Sequence, residues 1–226
     1  MVQKRIGRPP EVAPQPAGEA PAARKRGRPR AFAAEVALGR ALDTFRDSGF
    51  AATTLDDLSA AMGINRPSLY GAFGDKRELF LKAYARYREE AEARFAPVFE
   101  PQRSLREALE LLFATALDFY LEGDNGPRGC FTVMTAGSEA MTDAEIRATV
   151  QRAISGTDKA LTGLFSAAVA RGELTADSDV PALVQLVGST IHTIALRARA
   201  RFPRAELEAI TRRTVDLACA GALRDA

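Results

Sequence analysis

The chain has 226 residues, enough for one or two domains with a real core. Hydrophobic residues make up 46% and charged residues 27%, ordinary for a globular protein, and no apolar run approaches the roughly 18 residues of a membrane span. Only two cysteines, Cys130 and Cys219, argue against a disulfide framework; with an N-terminus lacking the apolar core of a secretory signal, they predict a cytoplasmic protein.

Charge is unevenly placed. The first thirty residues hold eight Lys/Arg against Glu11 and Glu19, a net +6; the whole chain totals +2, so the remainder carries −4. This segment, 1–30, is rich in Pro, Gly, Ala and Arg and cannot build a core, so it is expected to be a disordered basic arm. A basic arm on an acidic body suggests a polyanionic partner; the plain alternative is a solvated tail. Basic-Gly-Arg-Pro occurs in it twice, in "KRIGRPP" (4–10) and "RKRGRPR" (24–30).

Beyond the arm nearly every segment carries helical periodicity, and an all-α fold of about nine helices is expected. The first runs from about Ala34 to Ser48, with Leu38, Ala41, Leu42 and Phe45 on one face and Gly49 ending it. Thr54 with Asp57 opens the second, whose apolar face is Leu55, Leu58 and Met62; Gly63 stops it. Asn65 caps a short third helix that has Pro67 in its first turn and Leu69 and Phe73 facing inward. This is a helix-turn-helix pattern, with Arg66, Ser68, Tyr70 and Gly71 on the outer face of the second helix of the pair. A fourth helix, capped by Asp75, spans about Lys76 to Phe95, and two prolines in 96–103 break it. Ser104 with Glu107 opens a helix to Leu121, residues 122–129 form a loop, and Thr142 with Glu145 is expected to open a helix to Arg171. Helices at about 180–200 and 204–221 close the chain.

The stretch "GFAATTLDDLSAAMGINRPSLYGAFGDKRELFLKAYARY", residues 49–87, resembles the N-terminal domain of TetR-family transcriptional regulators. The signposts are Gly49, Thr53-Thr54, Ala60-Ala61, Gly63, Ser68 to Tyr70, Phe73 and Gly74 to Phe80, and the likeness is close over 34–87, about a quarter of the chain. "GCFTVMTAG", residues 129–137, looks like a segment of some members. The resemblance implies a helix-turn-helix domain over 31–78 and a helical effector-binding and dimerisation domain over 79–226. It also implies a homodimer on a pseudo-palindromic operator in double-stranded DNA, most often a repressor relieved by a small ligand.

Carried over by position, Thr54 and its neighbour Thr53 sit at a phosphate. Arg66, Pro67, Ser68 and Gly71 lie at base edges or the groove wall, and Tyr70 and Lys76 at further phosphates. Taken singly, each of these is an ordinary surface residue; together, at family spacing, they point to DNA. The helix carries Gly71 and Ala72 where many relatives have bulkier polar residues, which leaves more specificity to DNA shape or to the arm. Arg26, Arg28 and Arg30 resemble the core of an AT-hook, with Pro29 expected to keep the segment extended in an A/T minor groove.

Val180, Val184, Val187, Ile191 and Ile194 repeat as an a/d-type seam, and Leu207, Ile210 and Leu217 continue it in the last helix; these are expected to face a second copy, the alternative being an intramolecular bundle. Phe113, Leu117, Tyr120, Phe131, Met134 and Phe165, with His192, are candidates for a pocket holding a small apolar or aromatic ligand, though most serve equally as core. Cys130 and His192 are the only nucleophile and base worth pairing; no phosphate loop, HExxH or CxxC is present, so neither enzyme activity, cofactor nor metal is expected. The competing function is an architectural A/T-rich DNA binder driven by the arm.

Overall fold

The computed structural model describes residues 28–220, with side chains from Ala34 onward. Arg26 and the upstream basic copy lie outside that range. Among the described residues every regular element is helical. The order is α1 (Arg28–Ser48), α2 (Leu55–Met62), α3 (Arg66–Phe73), α4 (Lys76–Phe95), a 3₁₀ turn (Ala96–Phe99), α5 (Leu105–Leu121), a π-helical turn (Thr132–Ala136), α6 (Gly137–Glu139), α7 (Ala144–Ala170), α8 (Val180–Arg199) and α9 (Arg204–Cys219).

Local capping chemistry sets most of these boundaries. The Thr54 hydroxyl accepts the Asp57 N–H at 3.1 Å while Asp57 accepts the Thr54 N–H at 2.8 Å. Reciprocal boxes of the same kind start α4 with Asp75 and Glu78, and α5 with Ser104 and Glu107. Asn65 accepts the Ser68 N–H at 2.9 Å to start α3. Gly63, at φ 67°, ends α2 in a conformation that a side chain would strain, and this allows the tight turn into α3.

Two boundaries differ from expectation. α1 begins at Arg28, so Pro29, Arg28 and Arg30 belong to its first turn and not to an extended strand. Proline is tolerated there because that turn's N–H groups have no intrahelical partner. α7 is capped by Asp143 and not Thr142. The Asp143 carboxylate accepts the N–H groups of Glu145 at 2.9 Å and Ile146 at 3.0 Å, while the Thr142 hydroxyl turns back to the Glu139 carbonyl. Arg77 of α4 also binds the Asp143 carboxylate, and this contact holds it well below the usual carboxylate range.

α1, α2, α3 and the first half of α4 form the N-terminal head around Leu42, Phe45, Leu58, Leu69, Leu79 and Phe80. α4 continues without a break past residue 78 into the second bundle, where α5 packs on α8 and α9, and α7 packs on α8. A chain of rings joins the two parts: Phe45 to Phe80 (5.3 Å), Phe80 to Phe131 (5.5 Å), Phe131 to Tyr87 (5.5 Å) and Tyr87 to Phe119 (5.3 Å).

The expected seam of α8 points inward. Val184, Val187, Ile191, Ile194 and Leu207 are buried within this one chain and offer little or no surface to a second copy. The interior helix of a bundle shows the same a/d spacing as a dimer seam, so periodicity alone cannot tell which side is which. Val180 and Ile210 are half-buried. The large apolar side chains that do project from α8 and α9 are Leu217, 54% exposed, and Leu196, 59% exposed.

Candidate nucleic-acid interface and effector cavity

The helix-turn-helix presents one continuous outer face. Leu69 and Phe73 anchor α3 in the head core, which turns Arg66, Pro67, Ser68, Tyr70 and Gly71 to the surface. Thr54 is exposed at the start of α2, where the helix N-terminus offers free N–H groups to an anion. Lys76 begins α4 with its ammonium 4.3 Å from the Phe50 ring centroid, a cation–π contact that holds it at the end of the same face. Arg66 is folded back on α2: its Nε and Nη2 donate to Asp56 at 2.9 and 2.6 Å. Both partners are largely exposed, so the pair is weak and leaves the guanidinium free to exchange Asp56 for a phosphate or a base edge. Thr53 is not part of this face. It is buried, and its hydroxyl donates to the Gly49 carbonyl at 2.5 Å, closing the turn between α1 and α2. Arg28 and Arg30 lie in the first turn of α1.

The second feature is a cavity of about 390 Å³ between α4, α5, α7 and α8, closed at one end by the 3₁₀ turn. Its walls are the rings of Tyr87, Phe95, Phe99, Phe119 and Tyr120 with aliphatic side chains of α5 and α7; Arg88, Glu92, Thr157 and His192 add polarity. Of the sequence candidates, Tyr120 and His192 line it. Phe131 lies behind the wall, packed on Phe80, Tyr84 and Tyr87. Phe165 is buried core, and Met134 packs against Gly129. Phe113 and Leu117 point to the other side of α5, into a groove shared with α9, because α5 is apolar around most of its circumference.

Tyr87, Phe95, Phe99 and Phe119 were missed. The run Phe80, Tyr84, Tyr87 and Ala91 on α4, at spacing 4, 3, 4, is the signal that would have found Tyr87. The Tyr87 hydroxyl donates to Cys130 Sγ at 3.4 Å and accepts the Phe131 N–H at 3.2 Å. Burial pushes its pKa well above the ordinary tyrosine value, with the positive charge of Arg46 pulling the other way. Burial likewise raises Tyr120.

Three arginines tie the cavity's surroundings to the C-terminal end of α1. Arg128, from the loop after α5, spans Asp47 (2.6 Å) and Asp43 (2.7 Å). Arg199, from the end of α8, donates to the carbonyls of Arg46 (2.9 Å) and Asp47 (2.7 Å), which a helix C-terminus otherwise leaves unpaired. Arg46 itself reaches down onto the rings of Tyr87 and Phe119, 5.3 Å from each centroid. None of these contacts was anticipated.

Residues 37–83 match the family described as bacterial regulatory proteins, tetR family, and residues 106–213 match the tetracyclin repressor-like C-terminal domain. The chain belongs to the TetR family. It is a DNA-binding transcriptional regulator, and the regulators of this family are dimers that act on double-stranded DNA. The HTH-type transcriptional repressor ComR of Escherichia coli K12 is 29% identical over 177 residues, covering 78% of this chain and 84% of ComR. A solved cysteine mutant of the TetR family regulator CifR, complexed with 26 bp double-strand operator DNA, is 31% identical, covers 84% of this chain and 98% of its own, and has a TM-score of 0.73. A TetR regulator from Chloroflexus aurantiacus, 24% identical over 83% of this chain and 94% of its own, shares the fold at a TM-score of 0.74. No described helix is long and apolar enough to cross a membrane.

Proposed function

We propose that this TetR-family chain is a repressor whose two copies place α3 in successive major grooves of a pseudo-palindromic operator, and that a small ligand in the cavity releases it. The observation that carries this is the joining of the two features through α1 and α4. The DNA-facing surface rests on them at one end, and the cavity wall rests on α4 and, through Arg46, on α1 at the other. The contact set is Thr54, Arg66, Pro67, Ser68, Tyr70, Gly71 and Lys76, with Arg28 and Arg30 at the start of α1 as its basic flank. A ligand that fits only one arrangement of α4 against α1 shifts the spacing of the two heads and so the affinity for the operator.

The two copies meet through the outward stripes of α8 and α9, Gln185, Ser189, Thr193 and Leu196 with Ile210, Arg213 and Leu217, and not through the buried valines. ComR, named a repressor, and the operator complex of CifR support the sign and the target.

Selection of bound DNA from a random pool, with the full chain and with a chain beginning at Arg28, is the test. A two-fold symmetric consensus from both is the expected result. Enrichment of A/T-rich DNA without symmetry, and only by the full chain, would make the arm the main binder and sink the proposal. Replacing Leu196 and Leu217 together by Glu is expected to give a folded monomer by sedimentation.

A further inference from the structure

Arg46 is 5% exposed, and its buried Nε and Nη2 have no hydrogen-bond partner among the described residues. A guanidinium does not escape this cost by losing its proton, and an unpaired buried charge is rarely tolerated in a native protein. The acids nearest in sequence are already committed: Asp43 and Asp47 both bind Arg128. Arg94, the other guanidinium over Phe119, is answered by Glu90 and Glu122, but among the described residues no aspartate or glutamate answers Arg46. What Arg46 does touch is the pair of rings, Tyr87 and Phe119, that line the cavity. A ring that already carries a cation on its π-cloud is a poor partner for a second cation and a good neighbour for an anion.

Accepting the cavity as the effector site, we infer that its ligand is an acid: a flat aromatic or conjugated body carrying one negative charge, for which Arg46 is the buried counter-charge. The ring walls take the apolar body, and the charge lies on the side of the cavity nearest Arg46. Because Arg46 sits on α1, and its own carbonyl is held by Arg199, attraction of Arg46 toward the ligand pulls on the end of the helix that carries the head. The charge that recognises the ligand is thus also the attachment through which binding is felt at the DNA.

Three probes of one shape separate the possibilities: naphthoate, naphthalenemethanol and naphthylmethylammonium, each titrated calorimetrically into the full chain and each tested for release of bound operator. The expected order is acid, then alcohol, then cation, with the acid at least about tenfold tighter than the cation. Arg46→Met is expected to abolish that order and to uncouple binding from operator release. Arg46→Lys keeps the order, and Arg88→Met, which removes a cation from the cavity lining, weakens the preference less than Arg46→Met does. Equal binding of acid and cation by the natural chain overturns the inference even if Arg46→Met does not fold. Loss of the preference in Arg88→Met, with Arg46→Met unaffected, also overturns it by making Arg88 the reader. If none of the three probes binds, the inference of a flat aromatic acid is overturned, while release by a ligand of another shape remains a separate question for the operator-binding assay.

Discussion

The head and the junction beneath it are built by opposite kinds of contact. In the head, the bonds that start the helices are short-range in sequence: Thr54 with Asp57, Asn65 with Ser68, Asp75 with Glu78. At the junction, Arg128 reaches back 85 residues to Asp43 and Arg199 reaches 153 residues to the carbonyl of Arg46. The helix boundaries of the head are therefore locally specified, whereas the junction exists only once the whole chain has folded. A regulator profits from that division, since the reading surface stays constant while the long-range contacts respond to what occupies the second bundle.

The sharpest way to break the comparison is to remove the ring that both regions share. Phe80 is fully buried and touches Phe45 and Phe50 on one side and Tyr84 and Phe131 on the other. Phe80→Ala is expected to cost about 3–5 kcal/mol in urea unfolding. If head and body are coupled through it, the transition splits, with the head melting first; a single shifted transition would show that the coupling lies elsewhere.

Arg128→Ala attacks the junction and leaves both cores intact. Asp43 and Asp47 lose their partner but keep part of their access to water, so a loss of about 1–2 kcal/mol is expected. Operator affinity without ligand should change little, whereas any ligand-induced release should weaken. A variant that still responds fully to ligand would assign the coupling to α4 alone.

How much of this was legible beforehand follows the same division. Caps such as Thr54, Asn65, Asp75 and Ser104 were readable because the residue and the N–H it satisfies lie within one turn. Overlapping local signals were not: Thr142 and Asp143 are both good caps, and a distant residue, Arg77, binds Asp143. The apolar faces of α5 and α8 were visible, but which side met a cavity, a partner or the core was not, because periodicity gives a stripe and not its neighbour. Phe113 and Val187 were misplaced for that reason, and Arg46 beside Phe45 was passed over because a charged residue at that position ordinarily faces water.

A smaller effect should appear in acid. Contacts with Arg77, Thr54, Ser104 and the Leu105 N–H lower the pKa of Asp143, Asp57, Glu107 and Glu173 respectively. A carboxylate whose folded pKa lies below its unfolded value stabilises the fold above about pH 4.5, and the contribution is lost as pH falls through the folded value. The melting temperature is expected to be flat from neutrality to about pH 5 and to decline below about pH 4. Asp143→Asn should make that decline shallower, because one linked proton is gone; an unchanged acid limb would mean that the other groups carry it.

The smallest expected effect on stability is the most informative about function. Gly71 lies inside α3 with a helical backbone, and a Cβ added there would meet nothing within 4 Å. The fold has no use for glycine at this position, and glycine in a helix interior costs about 0.5–1 kcal/mol relative to alanine. Gly71→Ala should therefore raise stability by about that amount. If α3 lies against the groove with its backbone close to DNA, the added methyl takes up room that a base or sugar needs, and operator affinity should fall while the melting temperature rises. Opposite signs in the two measurements place Gly71 at the DNA. A variant that is both more stable and equally tight would show that this turn of α3 faces solvent in the complex, and would shift the contact surface toward Arg66 and the start of α4.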